Sequence, residues 1–356
     1  MKIAFLTDQH FGVRNSNIFF MENQRKFYEK VFFPECEKRG ITTILNGGDT
    51  WEDRKNLNTL AIKGAREMYF DECEKRGFKQ YAILGNHDVM YRNTNEVHSM
   101  EIFADAYEHL EVIYDTAEIE LGGRTFALVS WINNENFESR AEFIKNTKAD
   151  VMLGHFEIKN FEMTRGNVAT HGLEQDMFKH IPVVLSGHFH LSTKQGNILY
   201  LGNNTQTNFG DIDQKKGFWI IDTDTLEMEF IENPYNVYAR VYFDNDINII
   251  DFDVSPYQDQ IVVVYIKSYL DVNQKKLNLF IDKLHRVVRS TTVQEMNTIT
   301  ADNASVDVDI EAIDTVAVIN SYIDSAIDDG NQRPKIKDMM HELYKEALNN
   351  TVTIDL

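Results

Sequence analysis

Cysteine is scarce in this chain. Cys36 and Cys73 are the only two in 356 residues, too few for a disulfide scaffold and in keeping with a reducing cytoplasm. Positive charge is also short: 36 basic residues stand against 56 acidic ones, a formal net charge of −20. That balance excludes a histone-like protein that grips DNA by bulk charge. It leaves a nucleic-acid enzyme open, because bound divalent cations reverse the local potential of a single site. No run approaches the roughly 18 consecutive apolar residues of a membrane span. The opening Met-Lys-Ile-Ala-Phe-Leu-Thr-Asp reaches a carboxylate at Asp8 before a signal-peptide core develops. No G-x-x-x-x-G-K-[ST] loop occurs, so nucleotide binding by that route is not expected.

What is present describes an ordinary globular chain, 43% hydrophobic and 26% charged, long enough for about two domains at roughly 150 residues each. Short apolar runs at 2–7, 42–46, 80–84, 150–153 and 182–186 read as buried strands, too short for helices. Through the first 90 residues they alternate with helical patterns, which predicts βαβ units. At 111–130 and 197–231, β-rich segments follow one another directly, as in the antiparallel parts of a two-sheet α/β domain. The string Glu-Cys-Glu-Lys-Arg-Gly occurs at 35–40 and again at 72–77. Each copy ends a helical pattern on a glycine suited to a helix C-terminus and then enters a strand.

Beyond Asn233-Pro234 the pattern changes. Residues 237–266 read as short strands, and 272–289 as an amphipathic helix with Leu277, Phe280, Ile281, Leu284 and Val288 on one face. The stretch 267–289 holds six basic residues against Asp271 and Asp282, the one clearly basic stretch in the chain. Lys275, Lys276, Lys283 and Arg286 are its candidates for contact with a phosphate backbone. Residues 297–309 are polar and resemble a linker, and helical patterns follow at 310–327 and 335–348.

Five punctuated motifs each follow an apolar run: Asp8-Gln9-His10, Gly48-Asp49, Gly85-Asn86-His87-Asp88, Gly154-His155 and Gly187-His188-Phe189-His190. They supply carboxylates, an amide and five of the eleven histidines. Such oxygen and imidazole donors, with no thiolate among them, suit manganese, iron or zinc. A two-metal centre with ions about 3.5–4 Å apart needs a bridging carboxylate and divided ligands. A histidine just outside the coordination sphere can then give a proton to the leaving oxygen.

D-x-H, G-D, G-N-H-D, G-H and G-H-x-H, in this order, resemble the calcineurin-like metallophosphoesterase superfamily. The fuller opening Asp8-Gln9-His10-Phe11-Gly12 resembles its SbcD-type DNA-repair nucleases. Layout, length and His171-Gly172-Leu173-Glu174 are similar to the recombination endonuclease subunits of T-even-like tailed phages. The resemblance implies an α/β fold: a two-sheet sandwich flanked by helices, with a smaller α+β cap and a C-terminal helical hairpin. The expected divisions are a nuclease domain at 1–235, a DNA cap at 236–296, a linker at 297–309 and an ATPase-binding helical segment at 310–356.

It assigns Asp8, His10 and His190 to one metal and Asn86, His155 and His188 to the other, with Asp49 bridging. His87 would be the proton donor, oriented by Asp88. The ions would be two Mn2+, with Mg2+ or Fe2+ as substitutes. The implied activity is metal-dependent exo- or endonucleolytic cleavage of DNA in recombination and double-strand-break repair. The implied partners are DNA, an SMC-like coiled-coil ATPase and, through the helical patterns at 56–76 and 96–109, a second copy of the chain. No membrane involvement is expected, and the expected place of action is the cytoplasm (the host's, for a phage protein). One departure is Glu52, where the bacterial branch carries Asp three residues beyond the G-D carboxylate. The alternative on the same fold is a phosphatase or small-molecule phosphodiesterase. Against it, protein phosphatases of the superfamily read G-N-H-E and carry Arg-Gly after the second motif, where this chain has Asp88 and Thr50-Trp51-Glu52.

Overall fold

The computed structural model describes residues 1–268 and 270–296, together with 333, 335–337, 339 and 340. In chain order its strands are β1 Lys2–Leu6, β2 Thr43–Asn46, β3 Lys79–Ile83, β4 Val89–Tyr91, β5 Thr94–His98, β6 Leu110–Ile113, β7 Thr116–Leu121, β8 Arg124–Val129, β9 Val151–Gly154, β10 Glu162–Thr164, β11 Asn167–Val168, β12 Val183–Ser186, β13 Thr193–Gln195, β14 Ile198–Tyr200, β15 Gly217–Asp222, β16 Met228–Glu232, β17 Tyr238–Phe243, β18 Ile261–Ile266 and β19 Ser290–Glu295. Two six-stranded sheets are built from them, β16-β15-β1-β2-β3-β6 and β13-β14-β12-β9-β8-β7. In the first, β1, β2, β3 and β6 run parallel and β15 pairs antiparallel with β1. In the second, β8, β9, β12 and β14 run parallel, flanked by antiparallel β7 and β13.

The alternation of side chains along each strand produces three layers of core. Ile3, Phe5, Leu45 and Ile83 face Phe126, Leu128, Leu153 and Leu185 between the sheets. The intervening Ala4, Leu6, Ile44 and Ala82 turn to the helices and meet Phe27, Phe32, Met68 and Phe70. On the far side, Ala127, Val129, Met152 and Val184 pack on Ile144, Phe156 and Phe178. Parallel strands covered on both faces read as continuous apolar runs, which is why all five buried strands were visible in the sequence.

The first two crossovers in the first sheet, β1 to β2 and β2 to β3, share one construction. Ile18–Phe27 passes through a π-helical turn, Tyr28–Phe32, into Phe33–Lys38. Thr59–Ala65 does the same through Arg66–Phe70 into Asp71–Arg76. The repeated Glu-Cys-Glu-Lys-Arg-Gly is the closing turn of each, ending on left-handed Gly40 and Gly77. The helical pattern expected over 96–109 is instead a hairpin strand, β5, followed by a single turn, Glu101–Ala104. Asn95 decides this locally: its amide donates to the carbonyls of Tyr114 (3.2 Å) and Trp131 (3.0 Å), which holds the chain extended.

After residue 236 a three-stranded parallel sheet, β17-β18-β19, carries the helix Gln274–Leu284 as the crossover between its last two strands. Leu277, Phe280 and Leu284 are buried against Val241, Phe243, Val262 and Val264. Residues 306–356 form a separate unit. Its described positions, 333, 335–337, 339 and 340, are helical. The expected linker at 297–309, the helical pattern at 310–327 and the rest of the terminal segment lie outside the described residues. Among the described residues no helix is long and apolar enough to cross a membrane.

Candidate metal centre

Each motif leaves the carboxyl end of a parallel strand: Asp8 and His10 after β1, Asp49 after β2, Asn86 and His87 after β3, His155 after β9, and His188 and His190 after β12. Parallel strands place all these ends on one edge, where open α/β sheets build their sites. The loops then cross-link. Asp8 N donates to Gly48 O (2.9 Å), His10 N to Asp49 O (3.1 Å), and Gly187 N to Gly154 O (3.0 Å). These contacts hold Asp8, His10, Asp49 and His188 at positive φ (49°, 47°, 51° and 88°), a conformation that costs a non-glycine residue about 1–3 kcal/mol. Two glycines admit the close approach. A Cβ on Gly48 would lie 2.6 Å from Gly85 N, and one on Gly85 would lie 2.1 Å from Asp49 Oδ1.

Two groups of donors result, Asp8 with His10 and His190, and Asp49 with His155 and His188. Asp49 lies between them, with Oδ2 3.3 Å from His155 Nε2 and 3.9 Å from His10 Nε2. Asn86 Oδ1 belongs to the second group, 3.1 Å from His155 Nε2 and 3.0 Å from His188 Nδ1. His10 Nε2 and His190 Nε2 are 3.0 Å apart. His155 tests whether a cation fits. Its Nδ1 faces the Gly47 carbonyl at 2.8 Å and must carry a proton, so Nε2, which faces two oxygens, those of Asn86 and Asp49, is the nitrogen that would give up its proton to a metal. Among the described residues the ion-pair partners of Asp8 and Asp49 are all histidines. Among the described residues neither carboxylate pairs with a lysine or arginine, and a metal ion fits this set of convergent oxygen and imidazole donors.

The electrostatics follow from this crowding. Burial opposes charge on His10, but the carboxylate of Glu52, backed by Asp49 and Asp8, raises it to about 10. Burial also opposes charge on His155, and Asp49 raises it to about 9. Burial and the charge of His155 push His188 down to about 3; burial and the charge of His10 push His190 to about 4. Burial would raise Asp49, yet His155, His87 and His10 hold it well below the usual carboxylate range.

His87 stands beside both groups. Its main-chain N–H donates to Asp49 Oδ1 (2.8 Å), and its Nδ1 donates to the Glu52 carbonyl (2.6 Å). A carbonyl only accepts, so the Nδ1 proton is fixed and Nε2 is left for chemistry. The expectation that Asp88 orients His87 is therefore corrected: the Glu52 main chain does so. Asp88 instead accepts from Thr50 N, Trp51 N and Gly85 N, which clamps the second loop to the third. Glu52, the departure from the bacterial pattern, places Oε2 2.9 Å from His10 Nδ1, at ion-pair distance though outside linear hydrogen-bond geometry.

Residues 1–192 match the calcineurin-like phosphoesterase family. The chain belongs to that family. It is a metal-dependent phosphoesterase. Exonuclease subunit 1 of Enterobacteria phage T4 is 28% identical over 350 residues, covering 98% of this chain and 99% of that protein. The SbcD component of the SbcCD nuclease of Staphylococcus epidermidis is 24% identical over 299 residues, covering 72% and 79%. Among solved structures, a novel archaeal phosphodiesterase is 16% identical and covers 65% of this chain and 100% of that chain, at a TM-score of 0.36.

Around the centre the structure adds Trp131, which lies in none of the five motifs. Its ring lies 5.4 Å from that of His188 and 6.0 Å from that of His155. It follows β8 at the same sheet edge as the motifs, the one signal that could have found it. His171 is outside this cluster, paired on the surface with Glu157 at 3.0 Å. On the basic helix, the Lys283 ammonium donates to the carbonyls of Ile249 and Ile250 (both 2.7 Å) and that of Lys276 to Asn245 O. Both pin the 244–260 connection while keeping their charge at the surface. Lys275 and Arg286 lie on the same stretch.

Proposed function

We propose that this phosphoesterase is a DNA nuclease, the catalytic subunit of a recombination and double-strand-break repair complex, working with two divalent ions, Mn2+ foremost. The observation that carries the chemistry is the His87 ring, fixed by its Nδ1–H on the Glu52 carbonyl beside two convergent donor groups. Asp8, His10 and His190 would hold one ion, Asn86, His155 and His188 the other, with Asp49 shared. When bound, such ions supply Lewis acidity toward a phosphoryl oxygen and lower the pKa of nearby water. His87 Nε2 gives a proton to the leaving oxygen, and Asp88 keeps the loops of Asp49 and Asn86 in register.

DNA as substrate is supported by the full-length similarity to a phage exonuclease subunit and the partial one to an SbcCD nuclease subunit. Both names denote subunits, which supports a partner; we take it to be a coiled-coil ATPase held by residues 310–348. Lys275, Lys276, Lys283 and Arg286 would meet the phosphate backbone from the cap at 236–296. Against a net charge of −20, that leaves the lone chain with weak, salt-sensitive DNA affinity. A second copy would dock through 56–76, and the cytoplasm is the place of action.

The test is incubation with Mn2+ and end-labelled linear duplex DNA, beside a chromogenic phosphodiester and a phosphomonoester. DNA cleavage that disappears in His87→Ala supports the reading. Hydrolysis of the monoester with intact DNA overturns it in favour of a phosphatase.

A further inference from the structure

Lys216 is one of the most deeply buried charged groups in the chain, its side chain 2% exposed, and it lies directly behind a candidate metal ligand. Its ammonium makes three contacts: Asp211 Oδ1 at 2.6 Å, Gln214 Oε1 at 2.8 Å and the main-chain carbonyl of His190 at 3.0 Å. All three donors are therefore used, one of them on the backbone that carries the His190 ring. Asp211 is equally committed. Its Oδ2 accepts from Thr207 N (2.8 Å), Thr207 Oγ1 (3.2 Å) and Asn208 N (3.2 Å), while its own carbonyl accepts from Gln206 Nε2 (3.0 Å). Gln206 Oε1 in turn accepts from Val237 N (2.9 Å) and Tyr238 N (2.8 Å), where β17 begins.

A continuous set of hydrogen bonds thus runs from the entry of the small sheet to one ligand of the metal centre. A buried ammonium and carboxylate are costly to desolvate, and well-packed apolar residues hold a core as well or better. Packing alone does not account for this pair. Its reach to the His190 carbonyl does, because groups behind a metal ligand set the ligand's orientation.

We propose that Lys216, held by Asp211, is a positioning residue that fixes His190 for metal binding. The proposal rests on the two-ion reading above. Removing Lys216 leaves the His190 carbonyl without its donor and lets the ring leave the position from which it meets His10 and Asp8. The ion of that group is then lost first, and the group containing His155, His188 and Asn86 keeps its own.

The experiment titrates the full chain with Mn2+, following affinity by calorimetry and ion pairing by electron paramagnetic resonance, with circular dichroism as the check on folding. The wild type should take two ions with a spin-coupled signal. Lys216→Met should keep one tight ion, lose the coupled signal, and bind the second about 10- to 100-fold more weakly, the usual effect of removing such a supporting group. Asp211→Asn, which keeps an oxygen for the Thr207 and Asn208 amides, should weaken the same ion even if Lys216→Met fails to fold.

The double variant Lys216→Met/Asp211→Leu separates positioning from mere structure. It should fold, because the pair is replaced as a unit, and still bind the second ion weakly. Wild-type affinity for both ions in that variant would overturn the proposal. In a His190→Ala background Lys216→Met should cause no further loss; an additive loss would also overturn it. A wild-type chain that takes fewer than two ions would overturn the two-ion reading and this inference together.

Discussion

Asp88 offers the sharpest structural prediction, because its role differs from the expected one. The side chain is fully buried and accepts three main-chain N–H groups: Thr50 at 2.9 Å and Trp51 at 3.2 Å on Oδ1, and Gly85 at 2.9 Å on Oδ2. Asp88→Ala strands all three. A buried donor left without an acceptor costs about 1–3 kcal/mol, so the total is about 3–6 kcal/mol once water entering the space satisfies part of it. Asp88→Asn keeps an oxygen for Thr50 and Trp51 and turns an amide N–H against Gly85, a loss of about 1–3 kcal/mol.

The order of stability is therefore wild type, Asn, Ala, measured as urea midpoints with chelator present. The pH dependence adds a second check. Burial and the charge of Asp49 push the Asp88 carboxyl up to about 7. The folded state then holds this proton more tightly than the unfolded one, and the contribution to stability is lost as pH rises from about 4 through 7. The margin of wild type over Asn narrows across that window. Equal midpoints for Asn and Ala, or a margin that widens with pH, would refute the clamp.

Three further outcomes follow from the same geometry. His10 and His155, at about 10 and about 9, carry protons that a metal must displace, so Mn2+ binding at pH 7 should release protons and tighten with rising pH; calorimetry in buffers of different ionisation enthalpy checks this, and no release would contradict it. Glu52→Gln removes the carboxylate beside His10 and should reduce that release by close to one proton while the chain stays folded. Gly85→Ala drives a Cβ to within 2.1 Å of Asp49 Oδ1 and should abolish tight binding of two ions with a smaller change in thermal midpoint; unchanged binding would show that the loop yields.

The strands and the loops that leave them were legible because a parallel strand buried on both faces must be an apolar run, and a site at its end must be polar. The five motifs could be placed on one sheet edge from that alone. The sequence was silent where the decisive partner is a main-chain group brought from another loop. His87 is oriented by a carbonyl that any residue at position 52 would supply. Asp88 faces amides rather than the neighbouring ring, because Thr50, Trp51 and Gly85 arrive beneath it only when β2 and β3 pair. The 96–109 segment has a helical pattern, yet Asn95 finds two carbonyls and takes the extended form. Lys216 reads in the sequence as a surface lysine next to Lys215, and only the fold turns it inward to Asp211 and His190.

The central claim is that two ions occupy this centre with Asp49 between them. Anomalous diffraction from crystals soaked in Mn2+ tests it most directly. The account predicts two peaks about 3.5–4 Å apart, one against Asp8, His10 and His190 and the other against Asn86, His155 and His188. A single peak, or two that do not share Asp49, would contradict it.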